Sequence, residues 1–264
     1  MRPKSLILDL LRVSDHPVQV SNLVAVGNLF GFEGNAVRVA LTRLVAAGLV
    51  ESDDRGSYRL APGALPMARV IDRWRDGEAR RSPWAGDWLA VLPPRGGDRR
   101  GRAGSLRALA RLGFREGRPG LWVRPDNLRA DAFDDLRALG LAAGAESFTA
   151  SGFGAATEAE WRAKLWPLAE LRRDLRATLR DLERSRERLP SIPRDDALVE
   201  SFLLGGRAIR LLATDPLLPD EILDGDDRRQ LTRAMKAYDR AGKRLWLHHL
   251  TAPTVAPTHL AVVG

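Results

Sequence analysis

The sequence predicts an α+β chain of three successive units, and three observations predict it. Helical periodicity gives way to a short hairpin pattern before residue 62, helix-like and strand-like pieces alternate between 87 and 152, and helical periodicity alone returns from 153 onward. At 264 residues the chain exceeds one ordinary core, since domains run to roughly 100–200 residues. The expected boundaries are 1–62, a linker over 63–86, then 87–152 and 153–264. With 44% hydrophobic residues regularly interrupted by polar ones, each unit can bury a core.

In the first unit, SLILDLLRV (5–13) sets Leu6, Ile7, Leu10 and Leu11 on one helical stripe. From Ser21, Leu23, Val26, Gly27 and Phe30 recur at helical spacing, and Gly31 ends the run. A third helix opens near Glu33 and Asn35. At about 100° per residue, Val37, Ala40, Leu41, Leu44 and Ala47 gather on one side and Asn35, Arg38, Val39, Thr42 and Arg43 on the other. Gly48 suits the left-handed position after the last turn, with Leu49 folding back over it. The strand pieces LVES and SYRL then flank the turn residues Asp53 to Gly56.

Three short helices followed by a hairpin is the order of a winged helix-turn-helix, whose third helix enters the DNA major groove. That geometry gives the polar stripe a reason. Arg38 and Arg43 suit guanine, Asn35 suits adenine or phosphate, and Thr42 suits a thymine methyl or phosphate. Arg55, Ser57 and Tyr58 at the hairpin suit the DNA backbone or the adjacent minor groove. The same pattern also describes the solvated face of an amphipathic helix, or a winged unit that binds protein.

The net charge of +8 is unevenly spread: 15 basic and 7 acidic residues fall in 61–130, against 7 and 6 in 1–60. A positive field favours polyanions. Arginines between 69 and 81 could supply the phosphate-neutralising charge that the first unit lacks. A solvated surface of arginine-biased composition would give the same count.

In the second unit, DWLAVLP reads as a strand, GSLRALARLG as a helix, GFREGRPGLWVRPD as two strands about a turn, DAFDDLRALG as a helix and AAGAESFTA as a strand. The order βαββαβ is that of a ferredoxin-like unit, a four-stranded antiparallel sheet with two helices on one face. In the third, Trp161, Leu168, Leu175, Leu182 and Leu189 recur every seven positions, interrupted by Pro167. Such spacing marks a seam between helices of one chain or of two subunits. Two more helical stretches, 197–216 and 226–250, are separated by the prolines of DPLLPDEIL.

The absence of cysteine excludes a disulfide framework and thiolate metal chemistry, and fits a reducing cytoplasm. The first apolar stretch is broken by Asp9 and Arg12, unlike a signal peptide, and no apolar run reaches the eighteen or so residues of a membrane span. The expected protein is therefore soluble and cytoplasmic, with no membrane partner. Catalytic patterns are lacking: RGGDRRGRAG has neither the lysine nor the spacing of a phosphate loop. His248, His249 and His259 have no carboxylate completing a metal-ligand spacing. No enzyme, cofactor or metal is expected. The alternative is a metal-dependent nucleic-acid-processing enzyme on the ferredoxin-like core, although the first strand of that core reaches an acidic residue only at Asp98 in the following loop.

The chain resembles the PaaX-type transcriptional repressors of phenylacetic acid catabolism. The resemblance rests on VRVALTRLVAAGLV, WAGDWLAVLP, LGFREGRPGLWVRPDNL and DPLLPDEIL in this order. It implies a homodimeric repressor with a winged-helix domain, a ferredoxin-like central domain and a helical C-terminal domain. It further implies double-stranded operator DNA as partner, contacted by Asn35, Arg38, Thr42 and Arg43, and release by a small-molecule effector such as phenylacetyl-CoA or another acyl-CoA. Coenzyme A carries phosphates that suit arginine forks and an adenine that stacks on aromatic faces. Arg99, Arg100, Arg102, Arg115 and Arg124 beside Trp122 offer both, and are the expected ligand-binding group.

Overall fold

The computed structural model describes residues 1–14, 16–94, 99–129, 135–137, 139, 141 and 144–251, with 99, 100 and 247–251 described in backbone alone. The chain is a mixture of helices and two antiparallel sheets.

The first unit comprises α1 (Pro3–Val13), β1 (Val18–Gln19), α2 (Val20–Leu29), α3 (Gly34–Ala46), β2 (Val50–Ser52) and β3 (Ser57–Leu60). The strands form a small sheet in the order β1-β3-β2. Ile7 and Leu11 of α1, Leu23 of α2, and Val37, Leu41 and Leu44 of α3 close over Val50 of β2. These are the apolar positions expected from helical periodicity, except Ala47, which is exposed because the helix ends one residue earlier. Gly48 has φ 66°, and the Leu49 N–H donates to the Leu44 carbonyl at 3.1 Å, closing the last turn. Leu49 itself remains 38% exposed instead of covering that turn.

Helices α2 and α3 meet at Gly27. A Cβ there would lie 2.5 Å from Val37 Cγ2, inside any real contact distance. Val37 is β-branched and buried, so it has little room to yield. Gly27→Val is expected to destabilise the chain by about 1–3 kcal/mol through overpacking, read as a lowered denaturation midpoint. An unchanged midpoint would show that the helix pair can separate freely.

Residues 63–86 are packed chain. They hold α4 (Leu65–Asp72) and a 3₁₀ segment, Arg73–Arg80. Val70 is buried against the second unit and Trp74 in the core of the third.

The second unit contains β4 (Trp88–Leu92), α5 (Arg99–Arg111), β5 (Arg115–Arg118), β6 (Leu121–Pro125) and β7 (Glu146–Ala150). The sheet order is β5-β6-β4-β7, and every neighbouring pair is antiparallel. Of the helix expected over 131–140, residues 135–137 are helical and most others lie outside the described residues. Strand β4 is buried on both faces, as a run without polar alternation requires. Leu89 and Val91 meet Ala108, Leu109 and Leu112 of α5, while Trp88 and Ala90 meet Trp161 and Trp166 on the other side.

The last unit holds α6 (Ala155–Lys164), α7 (Leu168–Arg188), α8 (Arg194–Ala213) and α9 (Asp226–Thr251). Pro167 divides the seven-residue pattern. Trp161 and Leu168 turn to the sheet, whereas Leu175, Leu182 and Leu189 pack inside the chain against Ile209, Leu231 and Met235. Among the described residues no helix is long and apolar enough to cross a membrane.

Candidate nucleic-acid interface

Burial of Val37, Ala40, Leu41 and Leu44 fixes the rotation of α3 about its axis. It leaves Asn35, Arg38, Thr42 and Arg43 exposed along one outer stripe, with Val39 among them at 41% exposure. Neither Arg38 nor Arg43 has an ion-pair partner among the described residues. The Thr42 hydroxyl donates to the Arg38 carbonyl at 3.1 Å. That bond leaves its methyl and its oxygen lone pairs for any outside contact.

The hairpin tip is ordered by Asp53. Its Oδ1 accepts the N–H groups of Ser57 at 2.8 Å and Arg55 at 3.0 Å. These bonds, the Ser57 N–H foremost, hold the Asp53 carboxyl below the usual carboxylate range. The turn presents Arg55 to solvent. Ser57, expected at the same surface, is only 7% exposed, and its Oγ accepts from Gln19 Nε2 at 2.7 Å. It ties β1 to β3. Tyr58 is half-buried and packs against the first core. The exposed group is thus Asn35, Arg38, Val39, Thr42, Arg43 and Arg55.

The arginines of 69–81 mostly do not join it. Arg73 pairs with Asp135, Arg75 with Asp72 and Asp239, and Arg81 with Glu78 and Asp220. Burial pushes the Arg80 guanidinium below its ordinary pKa. Arg69 remains exposed.

Two of the arginines expected at a ligand site, Arg115 and Arg124, donate to groups inside the chain. Arg124 is 1% exposed, and donates to the carbonyls of Leu112, Pro125 and Pro216 and to Asn127 Oδ1. Burial, followed by the charge of Arg80, pushes its pKa down to about 9. An arginine wholly spent on internal carbonyls has no donors to give a ligand. Arg115 is half-buried and donates to the carbonyls of Ala110 and Phe114, at 3.2 and 2.7 Å. Trp122 packs against the core beneath α5. Arg102 is exposed, and the side chains of Arg99 and Arg100 lie outside the described residues, as do Asp98 and the side chains of His248, His249 and His259.

The first unit thus joins an outward, arginine-bearing helix to an ordered hairpin. Residues 2–63 match the family model described as PaaX-like protein, the family that the sequence resembles. Among solved structures, the chain is similar to the "Uncharacterized protein Rv0674 from Mycobacterium tuberculosis", with 26% identity and a TM-score of 0.58 over 93% of this chain and 99% of that one. No curated protein matches.

Proposed function

We propose that this protein is a DNA-binding transcriptional repressor acting as a homodimer in the cytoplasm, released from operator DNA by an acyl-CoA such as phenylacetyl-CoA. Its first unit is then a winged helix-turn-helix, with β2 and β3 as the wing, and its second a ferredoxin-like unit. The observation that carries the reading is the exposed stripe of α3, within the segment that matches the PaaX-like family. The strand order β5-β6-β4-β7, with α5 joining β4 to β5, supports the ferredoxin-like assignment. The match to a regulator family supports a non-enzymatic role. A dimer would set two copies of α3 in grooves about 34 Å apart or a multiple of that distance.

The test is fluorescence anisotropy on DNA from immediately upstream of the gene, over several salt concentrations, with and without phenylacetyl-CoA. Selective binding that weakens steeply with salt is expected, and the thioester should lower it. Binding that ignores the thioester would remove the effector. No selective binding at any salt would sink the repressor.

A further inference from the structure

In the outer stripe of α3 stands a β-branched apolar side chain, Val39, 41% exposed. On a helix surface the residues three and four places away adjoin a given position. For Val39 these include Asn35, Thr42 and Arg43, all exposed, and Ala36, exposed and too small to cover it. Val45, the other exposed valine of the helix, falls about 120° away around the axis and outside the stripe.

The fold gives no reason for an apolar residue there. Val39 has no part in the core beneath α3, which Val37, Ala40, Leu41 and Leu44 fill. β-branched side chains are weaker helix formers than straight-chain ones, and exposure of an apolar side chain to water stabilises nothing. A lone exposed valine is ordinary on a protein surface, but this one is ringed by Asn35, Thr42 and Arg43, whose groups suit base edges. In a helix valine is held almost wholly in a single χ1 rotamer. Its two methyl groups therefore keep a fixed direction and have little rotational freedom to lose on contact.

The base edges in the major groove are hydrogen-bonding groups with one apolar exception, the 5-methyl group of thymine. Against a guanine, adenine or cytosine edge a valine would shut water away from donors and acceptors and offer nothing in return. Against thymine it buries methyl upon methyl. Thr42, adjoining at i+3, has its hydroxyl proton tied to the Arg38 carbonyl, at 3.1 Å, and brings no donor to that spot.

We propose that Val39 is the residue by which α3 selects thymine, its methyl groups seated against the 5-methyl group of one thymine in the recognised DNA. The proposal rests on the DNA-binding function above and adds to it a base preference. It places an apolar contact at one base pair, between the polar contacts of Asn35 and Arg43.

The test uses the full chain and the DNA that it selects from a random-sequence library. Each thymine of the selected site is replaced singly by deoxyuridine, which removes the 5-methyl group and keeps the base pairing, and affinity is read by fluorescence anisotropy. At one thymine, or at a symmetry-related pair, the replacement is expected to weaken binding about threefold to fivefold, the worth of one buried methyl-sized group. Val39→Ala should bind the thymine site more weakly than the parent does, and the thymine and deoxyuridine sites nearly alike. Thr42→Ser, which removes the neighbouring methyl group, should keep the difference between them. Both positions are exposed, and circular dichroism checks that each variant folds. The proposal alone is overturned by a selected site without thymine, by selective binding that ignores every replacement, or by a difference that survives in Val39→Ala, as it would if Thr42 were the reader. A chain that selects no DNA overturns the repressor as well.

Discussion

Alanine at both Arg38 and Arg43 is expected to weaken operator binding by about 2–6 kcal/mol, since each bidentate arginine–guanine contact is worth about 1–3 kcal/mol. Stability should shift by no more than about 0.5 kcal/mol, because both side chains are exposed. Anisotropy read against salt separates two ways of losing affinity. If the arginines read bases, the loss is concentrated on the preferred sequence and discrimination between operator and unrelated DNA shrinks. If they sit on phosphates, affinity falls alike for every sequence and the slope of log affinity against log salt drops by about 0.9 for each contact. Ser57→Ala is the contrasting variant: its hydroxyl accepts from Gln19 and ties β1 to β3, so its effect belongs to stability, at about 0.5–1.5 kcal/mol. Affinity unchanged in the Arg38, Arg43 variant at every salt would remove α3 as the contacting helix.

The first unit was legible because its signals are local. Helical periodicity at Val37, Leu41 and Leu44 and the glycine at 48 fix α3 and its outward face from within a few residues. The strand segments of the central sheet were legible for the same reason. Charge was not, because it is settled over long distances. The excess of basic residues in 61–130 looked available for a polyanion. Instead Arg73 is answered by Asp135, Arg75 by Asp239 and Arg81 by Asp220, all from later segments. Arg124 shows the same limit more sharply: beside Trp122 it reads as a ligand contact, yet its partners Leu112 and Pro216 come from elements far apart in sequence. Ser57 misled because a β-strand alternates faces, and one residue decides whether a hydroxyl meets solvent or the sheet.

The segment DPLLPDEIL, quoted above for its resemblance, has a physical role of its own, and Asp215→Ala is expected to expose it by costing about 3–5 kcal/mol. Asp215 and Arg228 form a pair whose side chains are both 2% exposed, with Nε to Oδ1 at 2.9 Å. The same Asp215 oxygen accepts the Leu217 N–H, at 2.6 Å, and so holds Leu217 at φ 51°, a left-handed conformation unfavourable for leucine. From there the Pro216 and Leu217 carbonyls accept from Arg124 and Asn127, at 3.0 and 2.8 Å. The loop thereby fastens the C-terminal helices to the central sheet. Burial works against the charge of Arg228, but Asp215 and Glu78 outweigh it and hold its pKa above the ordinary value. Removing Asp215 leaves that cation a single carboxylate, Glu78, 3.2 Å away and partly exposed, and breaks the bond that stabilises Leu217. The double variant Asp215→Asn, Arg228→Met should cost less than Asp215→Ala, because it removes both charges together and keeps an acceptor for Leu217. Denaturant unfolding followed by tryptophan fluorescence reads this ordering, since Trp88 and Trp166 share a core cluster with Leu218 of the same loop. If the double variant were the less stable of the two, neither an unpaired buried charge nor the lost Leu217 bond would be the source of the loss, and this account of Asp215 would fail.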